Sequence, residues 1–99
     1  MSVLEELQNW YESQCGENWE DSYGVEIKTL DNPGWSITID LSGTDLATRS
    51  FAEITDLDND QNWMRCWVQR EKFEGVGDPQ KLEEILRVFL KWANRPSIN

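Results

Sequence analysis

The chain has 99 residues, with 19 Asp and Glu against 9 Lys and Arg, for a formal net charge of −10. That length allows one domain, residues 1–99, with one modest core, and the acidity argues against nucleic acid or an anionic membrane as a partner. The absence of histidine removes Ser-His-Asp and Cys-His catalysis, His-ligated zinc and histidine pH switching, and two cysteines cannot build a Cys₄ zinc site.

Ser2 and Glu5 have the spacing of a capping box. Leu4, Leu7 and Tyr11, with Trp10 beside them, recur at helical spacing, and Gly16 suits a helix stop. The pattern predicts an amphipathic helix over residues 3–15. From Gly24 the period becomes two. Val25, Ile27 and Thr29, then Trp35, Ile37, Ile39 and Leu41, alternate with polar residues around the turn signal Asp31-Asn32-Pro33-Gly34. This predicts a β-hairpin over residues 24–41. A loop is expected from Ser42 to about residue 49, a short strand over Phe51–Thr55, and a turn over Asp56–Asp60. Trp63 to Gln69 alternates again, with Met64, Cys66 and Val68 on one face and Trp63, Arg65 and Trp67 on the other. Such a strand is either central or displays tryptophan. Lys72 to Val76 completes the strands. Asp78-Pro79 carries the signals of a helix start. Leu82, Ile85, Leu86, Phe89 and Ala93, widened by Leu90 and Trp92, form the apolar stripe of a final helix that Pro96 ends. The order predicts an α+β domain: an antiparallel sheet of four to five strands, with an N-terminal and a C-terminal helix packed on its apolar face.

The charge is lopsided. Residues 1–48 hold 10 acidic residues and one basic residue, Lys28, whereas residues 49–99 hold 9 acidic and 8 basic. An acidic half either keeps a small domain soluble or attracts a basic partner. Trp19 lies in the acidic segment Gly16-Glu17-Asn18-Trp19-Glu20-Asp21-Ser22. An aromatic ringed by carboxylates suits a binding hot spot, and it equally suits a residue folded back onto the sheet edge.

Enzyme chemistry finds little support. Asp56-x-Asp58-x-Asp60 opens like a calcium loop, but Gln61 and Trp67 stand where the loop needs Gly and Glu. Cys66 alternates with Met64 and Val68, as a buried, inert thiol would. Cys15 has no basic neighbour to activate it. Gly75-Val76-Gly77 lacks the remainder of a phosphate-binding loop. No catalytic residue, cofactor or metal is expected. The N-terminus has no basic stretch before an apolar run, and nothing approaches a membrane span, so a cytoplasmic protein with reduced cysteines is expected.

The string Trp10-Tyr11-x-x-x-Cys15-x-x-x-Trp19-Glu20-x-Ser22-Tyr23-Gly24-Val25-x-Ile27-x-Thr29-Leu30-Asp31-Asn32-Pro33-Gly34-Trp35 resembles the immunity protein 53 family. Trp63, Phe73-x-Gly75-x-Gly77 and Leu82-Glu83-Glu84-Ile85-Leu86 extend the resemblance over nearly the whole chain. Residues 44–60 carry little of it. The resemblance implies a small bacterial protein that binds and neutralises a cognate toxin domain, and the lopsided charge suits a toxin that is basic or acts on nucleic acids. It supplies no catalytic residues. The contacts expected from the acidic half are Glu17, Trp19, Glu20, Asp21, Glu26 and Asp40. The alternatives are a small thiol- or carboxylate-dependent enzyme, as the rhodanese-like label of some relatives implies, and a general interaction module.

Overall fold

A computed structural model of the chain describes residues 1–95. Its elements are α1 (Val3–Gln14), α2 (Trp19–Ser22), β1 (Val25–Leu30), β2 (Gly34–Asp40), β3 (Ile54–Asn59), β4 (Asn62–Gln69), β5 (Lys72–Gly77) and α3 (Leu82–Ala93). The strands form one five-stranded antiparallel sheet in the order β1-β2-β5-β4-β3. The α+β architecture with helices at both ends of the chain is the expected one.

α1 begins as its capping box requires. Glu5 N–H donates to Ser2 Oγ at 3.1 Å, and Ser2 N–H donates to Glu5 Oε1 at 3.0 Å. Gly16, at φ +106°, takes the left-handed conformation that ends the helix without a Cβ clash. The buried stripe differs from the expected one. Val3, Leu7 and Trp10 face the core, while Leu4 and Tyr11 are exposed. Both stripes contain Leu7. Val3, Leu7 and Trp10 stand at i, i+4 and i+7 on one helix face, and Trp10 packs edge-on against Phe89, with centroids 4.9 Å apart.

The helices share one side of the sheet. Paired residues of neighbouring strands point the same way, so Ile37, Gly75 and Cys66 lie in one row beneath the helices, beside the row of Ile39, Phe73 and Val68. Gly75 lets α3 approach closely, because a Cβ there would overlap Ile85. Phe73, Phe89, Ile37, Ile39, Leu41, Leu46 and Ile85 are fully buried. The other side bears Glu26, Lys28, Ser36, Thr38, Glu74, Val76, Arg65, Trp67, Leu57 and Trp63, and among the described residues no helix covers it.

The long connection from β2 to β3 must pass β5 and β4 to reach the far edge. It does so beneath the end of α3. Leu46 is buried there, and Trp92 Nε1–H donates to the Ser50 carbonyl at 2.8 Å. Arg49 donates through Nη1 to the carbonyls of Trp92 (3.0 Å), Ala93 (3.4 Å) and Arg95 (3.1 Å). A cation thus satisfies the exposed carbonyls at the negative end of the helix dipole.

Three boundaries depart from the sequence expectation. The strand expected at Phe51–Thr55 and the turn expected at Asp56–Asp60 are replaced by β3 over Ile54–Asn59, with the turn at Asp60 and Gln61. β3 is an edge strand, so its outer residues stay wet and polar and give no alternation to detect. The final helix starts at Leu82 and not at Asp78-Pro79. Asp78 instead builds a turn, accepting from Gln80 N–H through Oδ1 and from Trp63 N–H through Oδ2, both at 2.8 Å. The expected stop at Pro96 lies outside the described residues.

Candidate partner interface

The residues expected to meet a partner fall into two groups. Glu17, Trp19, Glu20 and Asp21 belong to the one-turn α2 and its approach. Glu26 and Asp40 stand on β1 and β2, on the uncovered side of the sheet.

Glu17, Glu20 and Asp21 are exposed. Glu17 and Asn18 take left-handed backbone conformations, at φ 50° and 72°, that turn the chain into α2. Glu20 folds back so that its Oε1 accepts from Gly16 N–H at 2.9 Å. Hydrogen bonds from its own backbone N–H and from that of Gly16 hold its carboxyl below the usual range. Trp19 points the other way. It is 8% exposed, stacks edge-on with Trp10 at 6.1 Å, and donates from Nε1 to the Ser42 carbonyl at 2.8 Å. Trp19 therefore anchors the acidic turn onto the core, and its ring is not displayed for a partner's pocket. Of the two readings that the sequence left open, the ring takes the inward one, while its neighbours Glu17, Glu20 and Asp21 face water.

Glu26 is exposed and lies 3.9 Å from Lys28 Nζ. Asp40 is engaged. Its Oδ2 accepts from Gly24 N–H at 2.9 Å, and its Oδ1 pairs with Lys72 Nζ, so little of its charge is left for a partner. That pairing raises the Lys72 pKa through the Asp40 hydrogen bond and charge.

The uncovered side also holds residues outside that expected set. Trp63 and Trp67 are half-buried there, and Leu57 is exposed. Arg65 stacks over the Trp67 ring, 4.6 Å from its centroid. Strand alternation in Trp63–Gln69 announced two tryptophans on one face. What the sequence could not give is that the helices take the other face.

The two free thiols have different surroundings. Cys66 is fully buried, and burial, with a smaller push from the Glu84 charge, drives its pKa up to about 12. Cys15 Sγ donates to the Tyr11 carbonyl at 3.4 Å at the end of α1. Asp56 and Asp58 lie on a strand and not on a loop, and among the described residues no three Asp, Glu or Cys side chains gather as a metal site. No helix among the described residues is long and apolar enough to cross a membrane.

Among the described residues, the exposed surface of this α+β fold is charged and partly aromatic. The family model for immunity protein 53 matches residues 4–94, and the chain belongs to that family. No curated protein and no solved structure matches it. Family membership gives the chain an immunity function and implies a toxin as partner.

Proposed function

We propose that this chain is the immunity partner of a bacterial polymorphic toxin and neutralises the toxin domain in the cytoplasm by non-covalent occlusion, without catalysis. The family match carries the reading. The charge distribution supports its electrostatic part, since residues 1–48 contain 10 acidic residues and a single Lys. A toxin domain that acts on nucleic acid is basic where it holds phosphate, and an acidic inhibitor reaches such a surface quickly and covers it. In this reading Glu17, Glu20, Asp21 and Glu26 make the direct contacts. Trp19 holds the acidic turn in place, and Asp40 fixes the start of the hairpin through Gly24.

The test pairs the purified chain with the toxin domain encoded beside it. Binding by calorimetry, with loss of toxin activity at one equivalent, is expected. The association rate should fall steeply between low and physiological salt. A rate indifferent to salt removes the electrostatic part, and an unbound toxin removes the whole proposal.

A further inference from the structure

The antiparallel order brings the β1–β2 turn and the β3–β4 turn to the same end of the sheet. Between them, on the uncovered side, lies a groove of about 510 Å³ lined by Asn32, Pro33, Leu57, Asn59, Asp60 and Trp63. Its walls are chemically unequal. Leu57 and Trp63 are a cross-strand pair, and Leu57 is a large apolar side chain left 66% exposed among the described residues. Asp60 brings a carboxylate to the rim, with Asp31 and Asp58 next in sequence to lining residues. None of these three forms a salt bridge among the described residues. Elsewhere the same side of the sheet has already answered such a pairing of ring and charge. Arg65 covers Trp67 and pairs with Glu53 at 3.2 Å, and Lys72 occupies Asp40. Trp63 has no such cation among the described residues.

We infer that this groove is the seat for an arginine side chain presented by the toxin domain, with the guanidinium stacked on Trp63, its stem on Leu57 and Pro33, and its charge on Asp60. Arginine fits better than lysine because its planar, weakly hydrated head both stacks and pairs with a carboxylate. The inference rests on the proposed toxin binding and adds an anchor point outside the acidic turn around Trp19.

The test has two arms. In the first, Asp60→Asn and Trp63→Leu, each verified as folded by its melting curve, are titrated with the neighbouring toxin domain. A loss of affinity of about tenfold or more is expected for each, with Glu83→Gln on α3 as an unchanged control. In the second arm, the peptide acetyl-Gly-Arg-Gly-amide is titrated into the wild-type chain and followed by NMR at the Trp63 indole N–H and the Leu57 methyls. Saturable shifts are expected with arginine and not with the citrulline peptide, and Asp60→Asn should diminish them. Toxin affinity unchanged in both variants overturns the inference and leaves the immunity reading standing. A wild-type chain that binds no toxin overturns that reading, and the peptide arm then decides the groove alone. Arginine-selective shifts keep it, and equal or absent shifts overturn it.

Discussion

The two sides of the sheet use tryptophan in opposite ways. On the helix side, rings meet in a continuous run from Trp19 through Trp10, Phe89, Phe73 and Phe51 to Trp92, edge to face at every step except the tilted Phe89–Phe73 pair. The indole N–H groups of Trp19 and Trp92 each reach a backbone carbonyl at 2.8 Å. On the uncovered side, Trp63 and Trp67 lie half-buried among charges, and one of them already carries a guanidinium. The same residue type thus serves as core filling and as surface chemistry within one strand order. Six tryptophans in the sequence say only that aromatic area is available. The placement of the helices decides which rings can meet a partner.

The largest expected effect comes from breaking that division at its most deceptive residue. Trp19→Ala removes a buried ring and an indole hydrogen bond, and should cost about 4 kcal/mol in urea unfolding. Trp63→Ala, at a half-exposed ring, should cost about 1 kcal/mol. Equal losses would mean that the two sides do not differ as described.

Asp78 tests the seam between the sides, because it ties the backbone of Trp63 to the turn that leads into α3. Its carboxylate accepts from Trp63 N–H, Gln80 N–H and Lys81 Nζ, all at 2.8 Å, and it is fully buried. Asp78→Ala strands these donors and should cost about 3 kcal/mol. The Lys81 hydrogen bond, aided by the two backbone donors and the Lys81 charge, outweighs burial and lowers the Asp78 pKa from 3.8 to about 2. The folded chain therefore holds this proton less tightly than the unfolded chain. The stabilisation is complete above about pH 4 and is lost as pH falls towards 2. A stability profile of the Asp78→Asn variant should lack that part of the acid dependence.

Much of the fold was legible because local and global signals agreed. The capping box at Ser2 and Glu5 names a helix start, the alternation of Val25–Leu41 names a hairpin, and the stripe of α3 names a helix and its buried face. Legibility failed where a signal served another purpose. Asp78-Pro79 has the chemistry of a helix start, but Asp78 spends its carboxylate on β4, a partner 15 residues away in sequence. β3 is polar because it is an edge, so Asp56 and Asp58 imitated a turn. Of the expected interface, the exposed carboxylates Glu17, Glu20, Asp21 and Glu26 could be read from charge. The inward turn of Trp19 and the engagement of Asp40 by Lys72 depend on contacts distant in sequence.

Gly75→Ala probes the covered side without removing any contact. The added methyl group would overlap Ile85, so α3 must shift or the Ile85 side chain must leave its position. Overpacking of this kind should cost about 2 kcal/mol. A matched variant of similar volume, Gly75→Ala with Ile85→Leu, should recover part of the loss, since leucine lacks the Cγ2 branch that the new Cβ meets. Failure to recover would place the strain in the strand and not at the helix contact.

The mildest test leaves the fold intact and asks which thiol water can reach. Cys66 shares β4 with Arg65 and Trp67, yet strand alternation sends it to the other side of the sheet, beneath the helices, where its pKa is pushed up to about 12. At neutral pH it is neither exposed nor ionised, so iodoacetamide should leave it unmodified in the folded chain. Cys15 is partly exposed at the end of α1 and should react. Mass spectrometry of the native protein is therefore expected to show a single alkylation, located at Cys15, with the second appearing only in denaturant. Labelling of Cys66 without denaturant would mean that α3 lifts from the sheet often enough to expose the row beneath it. The contrast between a sealed side and an open side would then be one of average occupancy and not of access.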